Sequence, residues 1–388
     1  MFKKSLSFKI SAIVFVIFLL ATALYLALGE GESSPEMQPR YTVTQFLAAE
    51  PAGYAEAVEP RLFEFPRDHG PHPEFRSEWW YFTGNLTTPN GRHFGYQFTL
   101  FRYSLTPDAQ SVASHWAAHQ VMMGHFAVTD IEGKQFHHFE RFSRVALALA
   151  DAQAEPFRVW LEDWAVGSVG DSFFPLNIQV AAEDISLELE LTSDKPLVLQ
   201  GDRGLSQKGH TPGNASYYYS LTRLQTQGYL QMDGQRYTLE GLSWMDREWG
   251  TSALEPQQVG WDWFSLQLSN GWDLMFYQLR LKNGQADTTS SGTLVSPEGQ
   301  SYPIDYDQLS LRILQEWQSP ATGIRYPAQW ELKVPERQIQ LTLTPQLAQQ
   351  ELRTSITYWE GAVQVSGQFE NNPVQGNGYV ELTGYSRP

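Results

Sequence analysis

Apolar and polar residues alternate over short stretches through most of this chain. Ile185-Ser186-Leu187-Glu188-Leu189-Glu190-Leu191 is the clearest case, and Phe157 to Leu161, Tyr217 to Arg223, Gln338 to Thr344 and Ala362 to Phe369 follow the same rule. A period of two leaves one face buried and one wet, which is the pattern of antiparallel sheets. Turn dipeptides punctuate these runs. Asn90-Gly91 separates Trp79 to Thr87 from Phe94 to Tyr103, and Asn270-Gly271 separates Trp261 to Leu268 from Trp272 to Leu281. Asn-Gly between such runs signals a hairpin, because both residues tolerate positive φ. The two hairpins match by kind about 180 residues apart: Tyr81-Phe82-Thr83-Gly84-Asn85-Leu86 sits on Trp263-Phe264-Ser265-Leu266-Gln267-Leu268. The pattern therefore predicts an all-β body built from two copies of one unit, 65–250 and 251–388. Strand edges are removed by closing sheets into barrels or pairing them. Two strands break the alternation: Glu78-Trp79-Trp80-Tyr81-Phe82 and Trp261-Asp262-Trp263-Phe264 carry large side chains on both faces. Covered on both sides, they are expected at the contact between the two units.

The N-terminus follows another pattern. Lys3, Lys4 and Lys9 precede an apolar run from Ile10 to Leu28, long enough to span a bilayer as a helix. Small residues at Ala27-Leu28-Gly29 also suit cleavage of a signal peptide. Residues 1–29 thus read as a signal peptide or transmembrane anchor, and 30–64, with Pro35, Pro39, Pro51 and Pro60, as a tether. Either alternative exports the remainder, so a periplasmic or extracytoplasmic location is expected, with membrane contact through the N-terminal segment.

Composition narrows the function classes. The 388 residues carry 27 Lys+Arg against 43 Asp+Glu, a formal charge of −16, which argues against a nucleic-acid partner. No cysteine is present, which excludes disulfides, thiolate nucleophiles, Fe–S clusters and Cys-ligated zinc. Thirteen Trp, 18 Tyr and 22 Phe supply aromatic walls in quantity. No phosphate-binding glycine loop or Gly-x-Ser-x-Gly elbow occurs. His115 and His119 have helical metal-ligand spacing without the Glu a zincin needs, and on a strand His119 and His125 share a face. These histidines, with His137-His138, read as polar loop and barrel-mouth residues. No metal and no cofactor is expected.

The most chemical stretch is Gly241-Leu242-Ser243-Trp244-Met245-Asp246-Arg247-Glu248-Trp249-Gly250. As a strand it puts Trp244, Asp246 and Glu248 on one face, with the carboxylates about 7 Å apart. Beside aromatics, one carboxyl is desolvated and its pKa rises toward that of a useful general acid. A structural ion pair with an arginine explains the same residues equally well. Gly209 to Asn214, ahead of Tyr217-Tyr218-Tyr219, reads as a loop feeding aromatics inward, or as a plain turn before core tyrosines.

Glu78 to Leu86, Gly213 to Tyr219, Trp244 to Trp249 and Gly260-Trp261-Asp262-Trp263-Phe264, taken in order, resemble the carotenoid hydratase (hydroxyneurosporene synthase)/AttH-like family. The resemblance covers nearly everything after about residue 60. It implies two tandem lipocalin-like antiparallel β-barrels. It also implies cofactor-free addition of water to an isoprenoid double bond, with the proton delivered by an Asp in a short aromatic-x-Asp motif, here Trp244-x-Asp246. Where that motif's branch has Tyr, this chain has Trp244, and where it has His and Trp upstream, this chain offers Tyr217 and Tyr219. The expected catalytic group is therefore Asp246, Glu248, Tyr217 and Tyr219, with Trp244, Trp80, Glu78 and Trp249 around the ligand. Two functions fit. One is a hydratase or hydrolase acting by acid catalysis on a lipophilic molecule. The other is a non-enzymatic lipid carrier or accessory protein of an envelope transporter. The carboxylate pair has no evident counterpart in the second unit, so the site is expected in the first barrel near its contact with a mainly structural second one.

Overall fold

The period-two pattern becomes strand almost throughout. A computed structural model describes residues 52–107, 119–251 and 254–386. Among these, helix is confined to short 3₁₀ turns at Arg67–His69, Tyr306–Gln308 and Pro335–Arg337. No helix of the described residues is long and apolar enough to cross a membrane, and the apolar run at 10–28 lies outside them.

The first sheet takes thirteen strands: β1 (Ser77–Thr87), β2 (His93–Ser104), β3 (Gln120–Asp130), β4 (Gln135–Arg144), β5 (Ala150–Ala154), β6 (Phe157–Leu161), β7 (Trp164–Ser168), β8 (Leu176–Ala182), β9 (Ile185–Ser193), β10 (Val198–Leu199), β11 (Leu205–Gln207), β12 (Ala215–Met232) and β13 (Gln235–Gly250). Neighbours run β4-β3-β2-β1-β13-β12-β9-β8-β7-β6-β5, and β10 and β11 also pair with β12. The two ends approach each other where β3 and β4 pack on β6, so this sheet is a nearly closed barrel.

The second sheet has ten strands: β14 (Gln258–Leu268), β15 (Asp273–Leu281), β16 (Ser291–Val295), β17 (Ser301–Asp305), β18 (Ser310–Gln318), β19 (Arg325–Val334), β20 (Ile339–Pro345), β21 (Glu351–Arg353), β22 (Thr357–Phe369) and β23 (Asn372–Leu382). Its order is β17-β16-β15-β14-β23-β22-β20-β19-β18, with β21 on β22, and it forms a half-barrel.

The two sheets share one plan. In each, the opening strand pairs with its hairpin partner on one side and with the last strand on the other: β1 with β2 and β13, β14 with β15 and β23. Both hairpins turn at the expected glycines, Gly91 at φ +88° and Gly271 at φ +85°. Register completes the correspondence, for Tyr81 opposes Asp246 and Trp263, its counterpart in the repeat, opposes Glu381.

Alternate residues of β1 serve different cores. Trp80, Phe82 and Leu86 fill the first barrel. Tyr81 turns outward onto Trp263, and with Tyr218, Trp244, Met275, Tyr277 and Tyr379 forms an aromatic layer between the sheets. Tyr81 donates to Glu360 at 2.7 Å and Asn85 donates to the Gly378 carbonyl at 3.0 Å. The doubly covered strands thus lie where the two sheets meet.

Candidate functional site

Between the sheets lies a cavity of about 180 Å³. Strands of both sheets wall it, and its surface is mostly apolar, with Trp79, Tyr81, Phe101, Trp261, Trp263 and Tyr358 among the aromatic side chains that line it. Four carboxyl groups face it, Asp246 and Glu248 from β13, Glu360 from β22 and Glu381 from β23, with one lysine, Lys208.

Asp246 reaches the cavity because β13 alternates. Trp244, Asp246 and Glu248 face the second sheet, while Met245 packs inside the barrel. The Asp246 carboxylate is 4% exposed and held by three donors: Tyr218 Oη on Oδ2, and Ser220 Oγ and Trp244 Nε1, both at 2.6 Å, on Oδ1. Burial pushes its pKa up to about 7 against the pull of those donors, and the neighbouring Glu248 adds to the rise. Tyr218 accepts in turn from Trp263 Nε1 at 3.2 Å, so an indole of the second sheet is tied to the acid of the first.

Glu248 is bonded by Ser216 Oγ and paired with Lys208 Nζ at 3.1 Å. Burial opposes the lysine's charge, but Glu248 holds its pKa above the usual value. The ammonium lies 4.0 Å from the Tyr277 ring centre.

On the other wall, burial raises Glu381 to about 8 despite the Trp261 indole that donates to it at 3.1 Å, and the charges of Glu248 and Asp246 push the same way. Glu360 lies well above the usual carboxylate range, first through burial and then through Glu381. Its Oε2 and the Gln97 Oε1 are buried in the cavity wall with no hydrogen-bond partner among the described residues. Near neutrality Glu360 and Glu381 therefore stay largely protonated against aromatic faces, and Asp246 titrates in that range.

Three of the expected residues meet here, Asp246, Glu248 and Trp244. The others do not. Tyr217 and Tyr219 point away, because β12 pairs with β13 so that Ser220 opposes Asp246 and Tyr218 opposes Glu248. Directly opposed residues share a face, so the middle tyrosine is the one that reaches the acid. Tyr217 Oη donates to the Glu59 carbonyl at 2.9 Å, and Tyr219 Oη bonds His69 Nδ1 at 2.7 Å.

Glu78, Trp80 and Trp249 likewise belong elsewhere. Glu78 binds the guanidinium groups of Arg102 and Arg247, which also hold the carbonyls of Gly70, His72 and Phe75. Burial works against its charge, but Arg247 and Arg102 keep the carboxyl far below its usual range. Trp249 stacks on His72 at 3.8 Å, and Arg247 lies over the Trp80 ring at 4.1 Å. This cluster pins the 70–75 backbone to the barrel.

The second unit also contributes more than expected. Glu381 stands at the position equivalent to Asp246, and the unit supplies two of the four carboxyls and much of the aromatic wall. The signal was present, since Glu381 lies on the closing strand opposite the repeat's aromatic position, but only the register exposes it. Among the described residues no His, Asp and Glu cluster could hold a metal ion.

Comparison with known proteins bears on this arrangement. A family model described as AttH-like matches residues 56–385. A crystal structure described as AttH, from Nitrosomonas europaea, is 36% identical with a TM-score of 0.76, covering 85% of this chain and 99% of its own. Kievitone hydratase from Fusarium solani subsp. phaseoli is 26% identical over 213 residues, 52% of this chain and 57% of that protein, so the match spans little more than half of that relative. The crystal structure of kievitone hydratase from Nectria haematococca shares the fold, with a TM-score of 0.67 at 17% identity over 86% of this chain and 97% of its own.

Proposed function

The chain belongs to the AttH-like family, and from that premise we propose that it is a hydratase, adding water across a carbon–carbon double bond of a lipophilic, isoprenoid-like molecule. The observation that carries this reading is Asp246, a buried acid with a pKa near 7 facing an aromatic cavity. An alkene is a poor base, and only a neutral acid held against it, with water otherwise excluded, protonates it at a useful rate. Protonation moves the Asp246 proton to one alkene carbon and leaves a carbocation on the other. The faces of Trp79, Tyr81 and Trp263 stabilise such a cation by about 2 kcal/mol or more each when desolvated. Water then adds to the cation and gives up its second proton.

The hydratase relative supports the reaction class. The cavity admits roughly six water volumes, which suits the reacting end of a longer molecule. A passive lipid carrier has no use for several carboxyls of raised pKa, each of which costs folding free energy once ionised. Export rests on the basic-flanked apolar run at 10–28.

The test incubates wild type and Asp246→Asn with kievitone, geraniol and lycopene in ¹⁸O-labelled water and reads products by mass spectrometry. Wild type should yield a product heavier by one labelled water, and the substitution should cut the rate by about 10²–10⁴-fold, the usual contribution of a positioned acid. Undiminished turnover in the variant, or no hydrated product from any of the three, contradicts the reading.

A further inference from the structure

A second set of proton-handling groups faces the same cavity, opposite in character to the acids. His125 on β3 and Tyr358 on β22 both line it, and the imidazole Nδ1 lies 2.7 Å from the phenol Oη. The other ring nitrogen, Nε2, lies 3.0 Å from Oε1 of Glu140, the residue directly opposite on β4. Glu140 is fixed from the second sheet's side by the Ser355 amide at 3.0 Å and the Ser355 hydroxyl at 2.6 Å. Burial alone raises a carboxyl, yet His125 and Ser355 hold Glu140 below the usual range, so it is a carboxylate. A carboxylate only accepts hydrogen bonds, so Nε2 must carry the hydrogen, and in the neutral ring Nδ1 accepts from the Tyr358 hydroxyl. The chain hydroxyl–imidazole–carboxylate has the order in which a base is oriented and its charged form stabilised by a third group.

We infer that Tyr358, His125 and Glu140 form the proton-accepting arm of the site, taking the proton that the attacking water must lose. This rests on the hydration reading given above. Water adds its oxygen to the carbocation while one O–H bond breaks. That proton goes to Tyr358 Oη, the Tyr358 proton passes to His125 Nδ1, and the imidazolium is held by Glu140. The product gains H from Asp246 and OH from water. One proton then sits on His125 and one is missing from Asp246, and exchange with solvent restores both. Tyr358 is suited to relay a proton, not to store charge: burial and the nearby Glu360 and Glu381 keep its phenol from ionising. Tyr358 is the catalytic residue of this arm, and Glu140 is a positioning residue. Because β3 and β4 come from one sheet and Tyr358 and Ser355 from the other half of the chain, the arm exists only when both are docked.

The experiment uses kievitone in D₂O with wild type, Tyr358→Phe, Glu140→Gln and Asp246→Asn. Wild type should give hydrated product. Tyr358→Phe should lose about 10²–10⁴-fold in hydration while still putting deuterium into recovered alkene, because the cation forms and reverts. Asp246→Asn should lose both signals. Glu140→Gln should lower hydration and alter its pH profile, which a purely structural role leaves unmoved. Hydration by Tyr358→Phe at the wild-type rate overturns the inference. Failure of wild type on kievitone, geraniol and lycopene alike is instead a failure of the hydration reading, and the ring nitrogens then decide. By ¹⁵N NMR at about pH 8, above the usual imidazole range, His125 should carry its proton on Nε2, and the Nδ1 signal should move in Tyr358→Phe. A proton on Nδ1 with Nε2 bare, or an unmoved Nδ1 signal, overturns the inference without any substrate.

Discussion

Asp246 shows what one residue gains and loses by its position. Three donors prefer its carboxylate, yet burial outweighs them and lifts the pKa from the usual 3.8 to about 7. Between those two values the folded chain keeps a proton that the unfolded chain has lost, so raising the pH favours unfolding; below about 4 both forms are protonated and the effect vanishes. Each unit of the shift is worth about 1.4 kcal/mol. Asparagine can keep the hydrogen bonds, its oxygen accepting from Ser220 and Trp244 and its amide donating to Tyr218, but it has no proton to lose. Asp246→Asn should therefore melt with a shallower fall between pH about 4 and about 8, while turnover is lost. Calorimetry across that range checks it, and a slope as steep as wild type contradicts it. At this scale the sequence showed the acid and its face, since Trp244-x-Asp246-x-Glu248 on one side of a strand follows from period two alone. It did not show that Tyr218 is the phenol that matters, because three consecutive tyrosines look alike until a partner strand selects between them.

At the scale of strands, pairing decides which polar groups are functional and which are structural. Glu78 and Asp246 are both buried carboxyls beside tryptophans, but β1 places Glu78 between Arg102 and Arg247. There its single negative charge is shared by two buried guanidinium groups, and through them it fastens the 70–75 backbone. Breaking a buried pair by removing one partner typically costs about 3–5 kcal/mol. Glu78→Gln should therefore lower the melting temperature sharply, while the remaining folded protein keeps Asp246 in its cavity and turns over normally. A melting temperature within a degree or two of wild type would show that water or another group compensates the arginines.

The site is a property of the whole molecule, for each sheet supplies half of it. The sheets approach closely at Gly95 on β2, where an added Cβ would lie 2.8 Å from the Ala362 Cβ on β22. Overpacking a tight contact costs about 1–3 kcal/mol. Gly95→Ala should lower stability and reduce turnover together by forcing the sheets apart, and adding Ala362→Gly should recover much of both. A double variant no better than the single one would place the strain within β2 and not between the sheets. The acidic balance of the chain, −16 in all, also means that an anionic substrate meets an opposing field before it meets Lys208.

The sequence by itself determined the all-β class, the two Asn-Gly hairpins, the repeat between them, and the inward and outward faces of each strand. These follow from period-two alternation and turn chemistry, which depend only on neighbouring residues. It also marked Asp246 and Glu248 as a carboxylate pair on one face of a strand, and its motifs pointed to the family. Only the tertiary structure selected Tyr218 over Tyr217 and Tyr219, removed Glu78, Trp80 and Trp249 to a structural cluster, and brought Glu360, Glu381, His125 and Tyr358 to the same cavity. Those assignments depend on strand register and on how two sheets dock, and both are set by contacts between residues far apart in the chain, such as Tyr81 with Glu360, which no local pattern records.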